Sequence, residues 1–158
     1  MTEQTGYTPR GMYFEEFEVG YEIISAGRTI TETDIVSFAA LTGDWTQIHV
    51  SAEYAKGTIF GRRVAHGLMG LSYAAGLGAQ LGFIEETVLL FRGLEWKFSA
   101  PIFIGDTIHL KLKVREKKEL KKLGGGSVTF DLRLINQEGK IVQKGTWEVL
   151  IKSKESTP

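Results

Sequence analysis

The sequence predicts an α+β fold in which an antiparallel sheet wraps one long central helix. Three observations carry this. Residues 67–82 contain no charged side chain, and a helix without a polar face is buried on all sides. From Thr87 onward the chain reads as strands, with apolar and polar residues alternating. A shorter helical stretch with its own start and stop signals precedes both. Helices first and a strand meander afterwards is the α+β pattern, with the helices on one face of the sheet.

Taken in order, residues 1–13 begin with a polar run (Thr2, Glu3, Gln4, Thr5, Gly6) and are expected to form a flexible arm. Residues 14–152 read as one domain, without repeats or a Pro- or Ser-rich linker, and 153–158 as a tail. Residues 21–30, with Ile23, Ile24 and Ile30, form a short β-like segment. Thr31 is placed to cap a helix, with Asp34 three residues on as the reciprocal partner of a capping box. Ile35, Phe38, Ala39 and Thr42 follow at helical spacing. Gly43 stops that helix, so Asp44 opens a loop.

In residues 67–82, five of the sixteen positions are glycine. Each disfavours helix by about 1 kcal/mol relative to alanine, which close approach to neighbouring elements must offset. Residues 88–98 alternate loosely. Residues 106–114 alternate clearly, with Ile108, Leu110, Leu112 and Val114 on one face and His109, Lys111 and Lys113 on the other. Residues 127–135 and 140–151 form a hairpin around Asn136-Gln137-Glu138-Gly139. Residues 115–122, with five basic and two acidic side chains, read as a solvated hairpin end ahead of Gly124-Gly125-Gly126.

Composition removes several function classes. Apolar residues make up 42% and charged residues 24%, as in an ordinary globular domain. Nineteen basic residues balance nineteen acidic ones, so the basic excess of a nucleic-acid binder is missing. The chain has no cysteine, hence no disulfide, thiolate metal site or thiol nucleophile. No apolar run approaches the roughly 20 residues of a membrane span, and the N-terminus lacks a signal-peptide core. A cytoplasmic protein without membrane or nucleic-acid partners is expected.

The residues able to carry chemistry stand close together in the sequence, between Asp44 and Gly67. Asp44 and His49 can converge on one water or one substrate proton, the minimum equipment for adding or removing water by general acid–base catalysis. A dry site would push the carboxylate toward neutral pH. Taken alone, the spacing equally suits a turn aspartate and a structural histidine. Gly67 opens the uncharged helix, where backbone N–H groups lack partners and the helix dipole favours negative charge. It is either an oxyanion donor or a packing glycine. Trp45 is a candidate wall of a pocket, Arg62 and Arg63 are candidates for phosphate binding, and His66 either fixes the turn into the helix or touches substrate.

Residues 29–44 (TITETDIVSFAALTGD), then His49, then residues 60–68 (FGRRVAHGL) resemble the MaoC-like, (R)-specific enoyl-CoA hydratase family. Residues 98–107 (FSAPIFIGDT) are similar to that family's later strand-and-turn signature. The resemblance spans roughly residues 14–150 and implies the hot-dog fold. It further implies hydration of trans-2-enoyl thioesters to (R)-3-hydroxyacyl thioesters, or the reverse. On this chain the family's catalytic pair falls on Asp44 and His49, and its backbone donor to the thioester carbonyl falls on Gly67. The loop departs from the family pattern. Thr46-Gln47 replaces Asn-Pro, Ser51 replaces an aspartate, and a serine inside the central helix maps near Ala75, with Ser72 one turn earlier as the substitute candidate.

The expected activity is therefore acyl-CoA hydratase/dehydratase. The expected assembly is a homodimer, or a higher oligomer built from dimers. Coenzyme A enters as part of the substrate, with no separate cofactor and no metal. The competing readings are a hot-dog thioesterase and a non-catalytic subunit that binds acyl thioesters.

Overall fold

The computed structural model describes residues 8–156. Helices α1 (Glu32–Thr42), α2 (Gln47–Val50), α3 (Ala52–Lys56) and α4 (Gly67–Gln80) are followed by the long strands β3 (Val88–Phe98), β4 (Thr107–Leu120), β5 (Gly125–Ile135) and β6 (Ile141–Lys152). Two short strands, β1 (Glu22–Ile24) and β2 (Arg28–Thr29), precede the helices. All pairings are antiparallel, in the order β1-β4-β5-β6-β3, with β2 also on β4. This is the hot-dog architecture, a sheet folded around the central helix α4.

The core lies between α4 and the inner face of the sheet. Met69, Ala74 and Leu77 of the helix share one buried cluster with Ile108, Leu110, Leu112, Phe130, Leu132, Leu134 and Val149. A Cβ built on Gly78 would stand 3.5 Å from Leu110 and 3.6 Å from Trp147, so the backbone of α4 sits directly on the sheet there. Burying each such Leu, Ile or Phe side chain contributes roughly 1.5–3 kcal/mol, which offsets the poor helix propensity of the glycines.

The capping box of α1 is formed. Asp34 N–H donates to Thr31 Oγ1 at 3.3 Å, and Asp34 Oδ2 accepts the Thr31 N–H at 2.8 Å. Gly43 ends the helix at φ 77°, a left-handed conformation that favours glycine. In the β5–β6 hairpin, Asn136 Oδ1 accepts the N–H groups of Glu138 and Lys140, and Gly139 has φ 76°. The basic segment lies where expected, at the far end of the β4–β5 hairpin, although both strands reach further than their alternation indicated.

Several expectations are corrected. The segment over residues 21–30 is two strands, because Ser25 interrupts the ladder. Its hydroxyl, in place of a backbone carbonyl, accepts the Leu110 N–H at 2.8 Å. The central helix stops at Gln80 rather than Gly82. It is also not buried all round: Leu68, Ser72, Ala75, Gly76 and Ala79 lie exposed along one face. Strand β3 is the free edge of the sheet, and Leu89, Leu90, Phe91 and Leu94 are each about half exposed.

Of the expected N-terminal arm, residues 1–7 lie outside the described residues. From Arg10 the chain is pinned, by an ion pair to Glu85 at 2.6 Å and by Met12 N–H to the Phe83 carbonyl at 2.8 Å. Lys117 holds the next turn by donating to the carbonyls of Phe14 and Phe17. In the expected tail, Ser153 bonds Glu15 and Lys154 pairs with Glu16; residues 157–158 lie outside the described residues. Among the described residues no helix is long and apolar enough to cross a membrane.

Candidate active site

Helix α1 ends at Gly43, and its left-handed turn delivers Asp44 to the start of α2. The carboxylate is exposed and is gripped by the next residue but one. Asp44 Oδ1 accepts the Thr46 hydroxyl at 2.5 Å and the Thr46 N–H at 3.2 Å. Those two bonds, with smaller contributions from His66 and His49, hold its pKa below the usual carboxylate value. The direction is opposite to that of a dry site, because here hydrogen bonding outweighs desolvation.

His49 does not share the loop with Asp44, as the sequence suggested. It sits in α2, a single turn closed by His49 N–H to the Thr46 carbonyl at 2.9 Å and Ser51 N–H to the Gln47 carbonyl at 2.8 Å. Its Nδ1 bonds the Val64 carbonyl at 2.8 Å. A carbonyl only accepts, so Nδ1 carries the hydrogen and Nε2 is left for chemistry. Ser51, found where the family pattern has an aspartate, caps α3 by accepting the Tyr54 N–H.

His66 is 2% exposed and joins these parts. By the same reasoning its Nε2–H donates to the Asp44 main-chain carbonyl, at 2.9 Å. Its ring stacks on His49 with centroids 3.9 Å apart, and packs against Phe38 at 5.0 Å. Its Nδ1 is buried without a partner. One donor atom from each of Asp44, His49 and His66 lies within 4.8 Å of the others, the one such group among the described residues that could hold a metal ion. The two imidazole planes are inclined by only 27°, however. Planes so nearly parallel do not meet within a bond length of both rings, so an ion could not lie in the plane of each. The cluster suits proton transfer better than coordination.

His66 caps α4, and Gly67 is the first residue of that helix. The Phe98 ring covers Gly67 so closely that a Cβ would stand 3.0 Å from it. Gly67 and His49 line a cavity of about 410 Å³, walled mainly by Ile48, Phe60, Val64, Phe98, Pro101 and Ile102. At its inner end is Gln143, a fully buried amide.

The structure brings Asp44, His49, His66 and Gly67 together. The other candidates stand elsewhere. Trp45 is 53% exposed and lines no part of this cavity. Ser72 faces outward and donates to the Leu68 carbonyl of its own helix. Arg63 is a strut, bonding Glu32 at 2.7 Å and the His49 carbonyl at 2.7 Å, so its guanidinium is not free for phosphate. Arg62 is exposed, with its guanidinium 3.8 Å above the Phe103 ring. Sequence reasoning missed Phe98 and Gln143. The available signal for Gln143 was a lone amide at an inward position of a strand whose other inward residues include Trp147, Val149 and Ile151.

The chain is thus a hot-dog sheet in which His49 and the helix start at Gly67 line one apolar cavity, with the Asp44 carboxylate close to His49. The MaoC-like domain model matches residues 17–133. An (R)-specific enoyl-CoA hydratase from Rhodospirillum rubrum is 34% identical over 140 residues, covering 88% of this chain and 91% of that protein. Protein MaoC of Klebsiella aerogenes is 40% identical over 110 residues, covering 69% of this chain; the match takes in 32% of that protein, about a third of its length. A solved Archaeoglobus structure, named as a monoamine oxidase regulatory protein, superposes with a TM-score of 0.87 at 38% identity, covering 96% of this chain and 100% of that one. The chain belongs to the MaoC-like domain family, whose relatives include enoyl-CoA hydratases and 3-hydroxyacyl-thioester dehydratases.

Proposed function

We propose that this protein catalyses the reversible hydration of trans-2-enoyl-CoA to (R)-3-hydroxyacyl-CoA, in the cytoplasm and as a homodimer or an assembly of dimers. The observation that carries the reading is the Asp44–His49 pair. A carboxylate oxygen of Asp44 and a ring nitrogen of His49 lie no more than 4.8 Å apart, close enough for one water to bridge them with two ordinary hydrogen bonds.

In the hydration direction the water oxygen bonds to Cβ of the enoyl group. Asp44, ionised at neutral pH, accepts a hydrogen bond from the water and orients it. His49 Nε2, bare because Nδ1–H bonds the Val64 carbonyl, takes the proton that water loses as its oxygen bonds to Cβ. The electron pair of the double bond moves toward the thioester carbonyl, and His49 then delivers that same proton from Nε2 to Cα, which restores the neutral imidazole. Water and proton arrive from the same side, so the addition is syn. The developing enolate oxygen would accept the Gly67 N–H, an interaction strongest at the transition state. This chemistry is redox-neutral and draws no electrons from a cofactor; coenzyme A comes in with the substrate. Exposed Arg62 is a candidate cation for its phosphates.

Two uncovered surfaces support the dimer. The free edge of β3 and the open face of α4 are both rich in apolar or small residues. An unpaired edge strand of eleven residues is a liability unless another chain covers it. A two-fold axis along that edge covers both copies at once.

The test is product analysis with crotonyl-CoA and longer enoyl-CoAs. The proposal expects (R)-3-hydroxyacyl-CoA with the thioester intact. Release of free thiol from saturated acyl-CoA would favour a thioesterase. Tight binding without either product would favour a non-catalytic subunit.

A further inference from the structure

The inner face of β6 carries one polar side chain that the chemistry above does not use. Gln143 is 2% exposed, at a position where strand alternation calls for an apolar residue. A buried amide is strongly unfavourable unless its groups are paired. Here they are, and in one direction. Trp96 Nε1–H donates to Gln143 Oε1 at 2.9 Å, and Gln143 Nε2–H donates to the Gly67 carbonyl at 3.0 Å. An indole only donates and a carbonyl only accepts, so the two partners fix which way the amide faces.

Two glycines make room for this arrangement. A Cβ on Gly70 would fall 2.4 Å from the Gln143 amide nitrogen, and one on Gly145 would fall 2.6 Å from the Trp96 ring. The central helix, β6 and the edge strand β3 are thus joined at the first residue of the helix.

We propose that Gln143 is a positioning residue for the thioester carbonyl, holding Gly67 so that its N–H faces the developing enolate oxygen. This rests on the reading of Gly67 as that donor. Glycine has the largest backbone freedom of any residue, and Gly67 has no side chain to anchor it. It is held from both sides instead. On one side, His66 is tied to the Asp44 carbonyl. On the other, the Gly67 carbonyl is tied to Gln143 and, through it, to Trp96. Each bond in such a chain polarises the next. Small displacements of a reacting group have large consequences for rate, so loosening Gly67 should slow turnover while leaving substrate binding nearly intact.

The experiment uses Gln143→Met, which keeps the length of the side chain and removes its polar groups. With crotonyl-CoA, kcat should fall about tenfold or more, with KM changed less than about threefold, the pattern of an interaction made mainly in the transition state. The second readout is the absorption of 2,4-hexadienoyl-CoA bound to Asp44→Asn protein, where a hydrogen bond to the thioester carbonyl shifts the band to the red. That shift should be present with Gln143 and largely lost when Gln143→Met is added. Trp96→Phe removes only the anchor of the amide and should give a smaller loss of both, which keeps the test intact if Gln143→Met does not fold. An unchanged kcat and an unchanged shift in a folded variant would overturn the positioning role. A missing shift with Gln143 in place would instead overturn Gly67 as the donor, and the proposal with it.

Discussion

The imidazole of His66 lies face to face with that of His49, ring centroids 3.9 Å apart, while its Nε2–H holds the main-chain carbonyl of Asp44 at 2.9 Å. One buried ring therefore touches both halves of the candidate pair, and its residue immediately precedes the helix that Gly67 begins. Neither Asp44 nor His49 is itself fully buried, so their mutual placement depends on this third residue.

Replacing His66 by phenylalanine keeps the stacked ring and removes the donor. The Asp44 carbonyl loses its partner, which should lower stability by about 1 kcal/mol. Hydration rate should fall about tenfold, because the loop carrying Asp44 is no longer fixed. His66→Ala removes ring and donor together and should cost roughly 3 kcal/mol. Denaturant unfolding and steady-state kinetics on the two variants separate packing from positioning.

Acid stability should depend on Asp34. Burial pushes its pKa up, but hydrogen bonds from the Thr31 N–H, the Tyr73 hydroxyl, the Thr31 hydroxyl and Arg28 outweigh this, and the value falls from 3.8 to about 2. The bond from Tyr73 ties α4 to α1 at 2.8 Å. A carboxyl with a depressed folded-state pKa stabilises the fold above its unfolded value and loses that contribution as pH drops through the folded one. Asp34→Asn should therefore lower stability by roughly 2 kcal/mol at pH 7. The gap between variant and parent should close between about pH 4 and pH 2. Urea titrations across that range measure it, and a gap that stays constant would contradict the assignment.

Edge pairing is tested by charge. Leu94 lies on β3 and is 46% exposed in the single chain, so Leu94→Lys should fold. Placed near a two-fold axis, the two lysines would repel. Light scattering should show the parent as a dimer or larger, and the variant shifted toward half the dimer mass at micromolar concentration.

Much of this molecule is legible in its sequence, for identifiable reasons. The Thr31/Asp34 capping box and the stop at Gly43 are local interactions, and local interactions survive transfer from sequence to fold. The uncharged stretch at residues 67–82 announces a central helix for the same reason. Its exposed face was not legible, because charge-free sequence reads alike whether its own sheet or another chain covers it. Asp44, His49 and Gly67 lie within 24 positions of one another, so their sequence order alone groups them. Gln143 could not be grouped with them, since it reaches Gly67 from 76 positions away across the sheet. The contacts of Arg63 and Ser72 are not legible in the sequence, because a side chain's preferred partners do not reveal which partner is near. Glu32 and the Leu68 carbonyl claim them here.

The most direct test of the account is loss of the conjugated enoyl-thioester absorbance of crotonyl-CoA, with Asp44→Asn and His49→Ala beside the parent. The account predicts hydration by the parent and a loss of roughly 10²–10⁴-fold in each variant, with melting temperatures close to that of the parent. Hydration that persists at the parent rate in folded Asp44→Asn or His49→Ala protein would contradict it.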